Sequence, residues 1–336
     1  MASPTMNRPL RVLSWRGAWG DALRDGVSRP FQDASNVAVE AVPHIGLRLP
    51  DALLRALESG TEPPVDVVWC NTSPALRAAK HGACESLAGA PVLGELATRA
   101  RAAQHAGLGD SWPIAETYVT HYVLVYQRHL YEPRPPESWR VLERPPHAKR
   151  IVLYPGGNGF YPVAQVLGGG KLADIPHDMA ACWTAVRRLR PQLGISSYSV
   201  TLHEALRQRE IDLCFRALPN VLAFQADGLN VDWTAPREGI TDTTDAMWIP
   251  RGLPPEVVAC ARAYIWFALS AAVQDRWCEL LGTLPVNRNA RARHAVFTRD
   301  HMPTDPDDLD ATLYVPEHVK AIHEPEWEMN FEGQTQ

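Results

Sequence analysis

Apolar positions along the chain switch repeatedly between the two-residue period of a strand and the 3.6-residue period of a helix. The run "LRVLSW" at positions 10 to 15 is short and β-rich. It is followed by "DALRDGVSRPFQDA", which puts Leu23, Val27 and Phe31 on one helical face, and by the alternating "NVAVEAV". Strand, helix and strand in that order predict a βαβ unit and a parallel sheet. A second unit follows: "DALLRALESG" is a helix stopped by Gly60, "VDVVWC" a buried strand, and "SPALRAAKHGA" a helix opened by Ser73 as cap and by Pro74.

The pattern changes near position 112, where "WPIAETYVTHYVLVY" reads as a long β-branched and aromatic strand. A proline-dense connector from 133 to 146 comes next and is expected to be stiff and surface-bound. Beyond it "RIVLYP" predicts a strand, "FYPVAQVLGG" and "DMAACWTAVRRLRPQL" predict helices, and "TLHEALRQREIDLCF" a helix and then a strand. "EGITDTTDAMWIP" reads as extended, and the longest helical pattern, 254 to 282, is broken in two near Ser270. No internal repeat interrupts this order. Two α/β halves with ligand-capable loops at strand ends predict two lobes with a cleft.

Composition narrows the function classes. Lys and Arg number 33 against 38 Asp and Glu, a formal charge of -5, so no positive field draws the surface to nucleic acid or an anionic membrane. There is no run of about 18 apolar residues and no basic start with an apolar core of the export type. The six cysteines lie far apart, with no CxxC pair and no Cys/His cluster at zinc spacing, which predicts buried reduced thiols and no metal. GxSxG, HExxH and GxGxxG motifs are absent, and "LGGGKL" around Lys171 lacks the first glycine of a P-loop and the hydroxyl after its lysine, so no cofactor is expected.

Six phrases in order resemble the solute-binding proteins of ABC transporters, in the branch of spermidine and putrescine binders. "LSWRGAWGDALRDGVSRPFQDASNVAVE" is similar to that branch's opening strand, W-G-G-x-Y turn, helix and second strand. "VDVVWCNTSPALRAAKHGACESL" resembles its YDVV strand, polar turn and helix. "YVLVYQRHLYEPRPPESWRVL", "EIDLCF", "EGITDTTDAMWIPRG" and "LGTLPVNRNA" stand where the G-I-x-Y-N strand with P-x-S-W, the G-E-V-D strand, the E-G…D…I-P-K-G segment and the x-G-Y-x-P-x-N turn stand. The likeness runs from about Leu10 to Glu332. It implies an α/β, two-lobed type II periplasmic-binding-protein fold, each lobe a mixed, mostly parallel sheet flanked by helices. Residues 9 to 119 and 245 to 336 are expected in lobe 1 and 120 to 244 in lobe 2, closing by a hinge around the ligand. It also implies a periplasmic monomer that hands a small molecule to an ABC permease of the inner membrane.

Candidate ligand residues follow from strand ends and from departures from the branch. Trp15, Arg16 and Trp19 leave the first strand, where indoles offer rigid contact area and a guanidinium a fork for an acid; Trp19 alternatively anchors the helix core. Asn71, Thr72 and Ser73 offer an amide, hydroxyls and a helix start, with capping as the alternative for Ser73. The glycine turn with Gly157 and Asn158 offers backbone N–H groups to an anion, or is a tight turn needing positive φ. Arg216 stands where the branch carries an aromatic residue that stacks on the ligand, and its charge disfavours a polycation. Asp245, beside Thr243, matches the branch's acid that engages the ligand's ammonium, or is a solvated loop carboxylate, or pairs with Arg216. Tyr122, with His121, either fills the room of a longer polyamine or packs on the lobe surface. Together they predict an acidic or zwitterionic amine-containing ligand. The alternative is a cytoplasmic lyase or hydrolase on the same fold, with Cys70 as the candidate nucleophile.

Overall fold

The computed structural model describes residues 6–43, 53, 55–56, 58–143, 149–153, 159–194, 199–291 and 293–327. Its strands are β1 (Leu10–Ser14), β2 (Val39–Pro43), β3 (Val68–Asn71), β4 (Ala115–Gln127), β5 (Ile151–Val152), β6 (Leu213–Ala217), β7 (Val231–Thr234), β8 (Thr241–Trp248) and β9 (Leu284–Pro285). The chain forms two compact units, Met1–Val119 with Thr244–His294 and Thr120–Thr243 with Ala295–Gln336. It passes from one to the other within β4, within β8 and after His294.

In the first unit β1 and β2 pair in parallel, from Leu10 opposite Val39 to Ser14 opposite Pro43, as the βαβ pattern requires. The intervening helix carries Leu23, Val27 and Phe31 on its buried side. It is α-helical over Ala18–Leu23, widens to a π turn over Arg24–Ser28 and resumes over Arg29–Ser35. Pro30, which has no N–H to donate, stands just past that wider turn. Gly26 lies so close to the helix Ala271–Leu281 that a Cβ would sit 3.0 Å from Trp277 Cα. Here glycine is a packing requirement.

β3 runs antiparallel to the first-unit end of β8, with Asn71 opposite Asp245, and β9 pairs with β4 at Tyr118 and Val119. Beneath them Trp69, Tyr118 and Trp277 meet edge to face, with centroids 5.1 to 6.2 Å apart. The long C-terminal helical pattern does break at Ser270, whose φ of -65° and ψ of 146° are extended, between Pro255–Ala268 and Ala271–Leu281. Gln274 ties that break to the sheet. Its Nε2 donates to Thr117 and Ala268 carbonyls, and its Oε1 accepts from Val286 N–H.

In the second unit β4 pairs antiparallel with β6 and β7, and β6 pairs in parallel with β5. The sheets are therefore mixed, with the antiparallel ladders on β4 and β8. Two expectations change here. Within the described part of the connector, up to Glu143, Trp139 leaves the surface: it is 1% exposed and its indole N–H donates to Gly239 O at 2.8 Å, since a large apolar ring repays burial when its one donor is satisfied. And the described residues from Ala295 onward, expected with the first lobe, pack with the second unit. Arg299 pairs with Asp232 at 2.9 Å and lies 4.1 Å over the Trp233 ring, Leu313 N–H bonds Ile240 O, and the buried Lys320 of the helix Glu317–Trp327 bonds Glu317 and the Asp242 carbonyl.

Candidate functional site

In the first unit the exit of β3 and the first-unit end of β8 bring polar groups together around Asp245, which is 2% exposed. Asn71 Nδ2 donates to Asp245 Oδ1 at 2.8 Å and the Tyr118 hydroxyl donates to Oδ2 at 2.6 Å. Both donors are neutral, so these two bonds orient the carboxylate without cancelling its charge. Burial, and then the neighbouring Asp245 charge, push the Tyr118 hydroxyl pKa well up, which keeps it protonated as a donor. Trp19, half-buried, lays its ring against Tyr118 with centroids 6.0 Å apart.

Behind this carboxylate lies a second one. Glu116, 2% exposed, accepts from Ala102 N–H at 2.7 Å through Oε2 and from the Thr244 hydroxyl at 2.7 Å through Oε1. With Thr244's proton so committed, the bond of 2.8 Å between Thr72 and Thr244 hydroxyls has Thr72 as donor. Thr72 and Asn71 thus reach across to β8. The helix Thr72–Lys80 begins two residues earlier than a Ser73 cap predicts; Asn71 stands at its N-cap, makes no side-chain cap bond, and donates its amide N–H to Asp245. Ser73 is buried inside the first turn.

Trp15 and Arg16, at the exit of β1 in the same unit, line a cavity of about 520 Å³ with Ser14, Leu23, Gln32 and Ala41. Gly17, with φ of 65°, supplies the left-handed turn from β1 into the helix there, a conformation most side chains resist.

In the second unit the β4 and β6 register sorts the candidates onto two faces. Arg216 lies opposite Val123, so it shares a face with His121 and Cys214; Tyr122 lies opposite Ala217 and shares the other face with Phe215. Tyr122 stacks on Phe215 with centroids 4.9 Å apart and planes at 1°, and it is 4% exposed. Tyr122 is thus buried in its unit and does not pack on the lobe surface. Arg216 is 3% exposed and lowers the cost of ionising its neighbour, though burial still pushes the Cys214 thiol up to about 12. His121 is fully buried and meets Phe297 edge to face at 5.7 Å. Thr243 is buried at the second-unit end of β8. Gly157 and Asn158 lie outside the described residues. The next residue, Gly159, has φ of 99° and leads into the helix Phe160–Leu167, and a Cβ there would come within 2.7 Å of Thr241 Oγ1 and 3.0 Å of the Tyr122 ring. Only glycine fits.

Asn71, Thr72 and Asp245 are therefore brought together, with Trp19 beside them, while Trp15 and Arg16 line the cavity. Glu116, Tyr118 and Thr244 were missed as partners. Glu116 has a visible signal, an acid set in a strand otherwise β-branched and aromatic, which must be buried with donors. Cys70 lies 6% exposed in β3, opposite Ala246, and all six cysteines are buried and outside any disulfide. Among the described residues no group of three or more His, Cys, Asp or Glu is placed to hold a metal ion.

Comparison with known proteins sets this geometry in a family. No curated protein matches the chain in sequence. Among solved structures, an ABC transporter substrate-binding protein from Bradyrhizobium japonicum USDA 110 superposes with a TM-score of 0.78 at 17% identity, over 97% of this chain and 100% of that one. The periplasmic binding protein MotA of A. tumefaciens B6, solved with glucopine, gives 0.75 at 16% identity over 97% and 99%. AgtB of A. tumefaciens R10, solved with agropinic acid, gives 0.74 at 18% identity over 98% and 100%. At these identities the likeness shows the fold, that of type II periplasmic binding proteins. Residues 27–304 match the family model for the bacterial extracellular solute-binding protein, and the chain belongs to that family, the solute-binding components of ABC transport.

Proposed function

We propose that this protein captures a small acid that also carries an amine, by hinge closure in the periplasm, and delivers it as a monomer to an ABC permease of the inner membrane. The observation that carries the reading is a buried guanidinium, Arg216, in the second unit, in a chain whose first unit holds the buried carboxylate Asp245. Asp245, oriented by Asn71 and Tyr118 and flanked by Trp19, takes the ammonium, and Thr72 and Ser73 support it from the start of their helix. Arg216 takes the acid, with Thr243, Gly157 and Asn158 as the remaining second-unit candidates. A polycation would face Arg216 at a cost of several kcal/mol at low effective dielectric. That two of the fold neighbours were solved with agropinic acid and glucopine supports an organic ligand of this breadth rather than a polyamine.

Calorimetry with three probes tests it: 4-aminobutanoate, succinate and spermidine. The zwitterion is expected to bind tightest and spermidine not at all. Arg216→Ala should weaken 4-aminobutanoate by about 1.5 to 3 kcal/mol, the range for hydrogen bonds to charged groups. Spermidine binding tightest, or an affinity for 4-aminobutanoate that Arg216→Ala leaves untouched, would refute the reading.

A further inference from the structure

Two polar rows cross the first unit side by side. In one, Asn71 of β3 and Tyr118 of β4 donate to the Asp245 carboxylate on β8. In the other, Thr72 donates to Thr244 and Thr244 to Glu116, whose second oxygen accepts from Ala102 N–H. The main chain joins the rows, since Asn71 precedes Thr72, Thr244 precedes Asp245, and Glu116 stands two residues before Tyr118. Thr117, between those last two, donates its hydroxyl to the Asp245 carbonyl at 2.9 Å. Thr72, Thr244 and Glu116 are each 2% exposed or less, so the second row lies behind the first and out of a ligand's reach.

The sense of that hidden row depends on its last member. An ionised carboxylate only accepts, so Glu116 takes the Thr244 proton and leaves Thr244 its lone pairs alone for Thr72. A neutral amide in its place accepts or donates, and both hydroxyls are then able to turn. Asn71 makes no cap bond to the helix Thr72–Lys80, which leaves the Thr72 hydroxyl to hold the turn from β3 into it.

We propose that Glu116 is a positioning residue of the Asp245 centre: acting through Thr244, it locks Thr72 at the start of its helix and so keeps the adjoining Asn71 amide on Asp245. Its consequence for ligand capture rests on the reading that Asp245 takes the ammonium. The brace itself does not.

Amide hydrogen exchange of the unliganded full chain, read by mass spectrometry, and calorimetry of 4-aminobutanoate test it in the parent, Glu116→Gln, Thr72→Val and the double variant. Glu116→Gln should speed exchange over residues 71–80 about fivefold and weaken 4-aminobutanoate by a similar factor, the loss of about one hydrogen bond, while the helix Pro255–Ala268 exchanges as in the parent. Thr72→Val should do the same. In its presence Glu116→Gln should add less than about twofold to either readout, because the two residues act along one row. Full additivity, unchanged exchange over 71–80, or exchange sped equally in both segments would overturn the proposal. Should Glu116→Gln not fold, Thr244→Ala cuts the row at its middle and is judged by the same readouts. Failure of the parent to bind 4-aminobutanoate would fault the first reading only, and the exchange results would still decide the role of Glu116.

Discussion

Two aspartates three residues apart on β8 live in opposite chemical settings. Asp242, in the second unit, lies by a buried ammonium: Lys320, 5% exposed, donates to its carbonyl, sits 3.7 Å from its carboxylate and bonds Glu317 at 2.7 Å. Asp245, in the first unit, is oriented by an amide and a phenol. An ion cluster of the first kind consumes its charges in holding a helix to a strand. The ligand reading rests on Asp245 because the Asn71 amide and the Tyr118 hydroxyl orient its carboxylate, whereas Asp242 shares an ammonium with Glu317.

Breaking the ion cluster should have the largest effect. Lys320→Met leaves Asp242 and Glu317 without their ammonium and should cost about 3 to 5 kcal/mol in urea unfolding, the figure for stranding a buried charge. Adding Glu317→Gln should restore part of the loss, and an equal loss in the double variant would show that packing, not charge, is at stake. On the other side, Tyr118→Phe removes one donor from Asp245 and should cost about 1.5 to 3 kcal/mol by the same measurement. Asn71→Ala, at a half-buried position, should cost about 1 kcal/mol and weaken 4-aminobutanoate more than it weakens the fold. If Asn71→Ala and Lys320→Met change ligand affinity alike, the contrast between the two aspartates fails.

The smallest effect is a pH dependence at a third carboxylate. Asp66 is bonded by Arg8 and Arg11, and these bonds hold its pKa below the ordinary carboxylate value even though burial pushes the other way. A depressed pKa means that the folded state holds its proton less tightly than the unfolded chain does. The contribution is complete above the unfolded value near 4 and is lost as pH falls through the folded value. Stability measured from pH 6 down to pH 2 should therefore fall less steeply in Asp66→Asn than in the parent.

Local periodicity carried most of the architecture. Leu23, Val27 and Phe31 repeat at helical spacing and are buried, and the break at Ser270 is where the pattern places it. Long-range choices were less legible. Nothing in the sequence near Trp139 says that a proline-rich connector will sink its indole onto Gly239, and the grouping of residues after Ala295 with the second unit depends on Arg299 and Lys320 finding Asp232 and Asp242. At the candidate site, Asn71 and Asp245 could be named from strand ends and resemblance. Their mutual bond could not, nor could Tyr118 and Glu116, because register between β3 and β8 and between β4 and β9 is set by the packed sheet.

The central claim is that one small molecule with both an amine and an acid occupies this protein. Native mass spectrometry of the chain purified under mild conditions tests it most directly, with the parent, Asp245→Asn and Arg216→Ala compared side by side. The account predicts one bound small molecule per parent chain, bearing both groups and depleted in each variant. A bound polyamine, or a bound molecule retained undiminished in both variants, would contradict it.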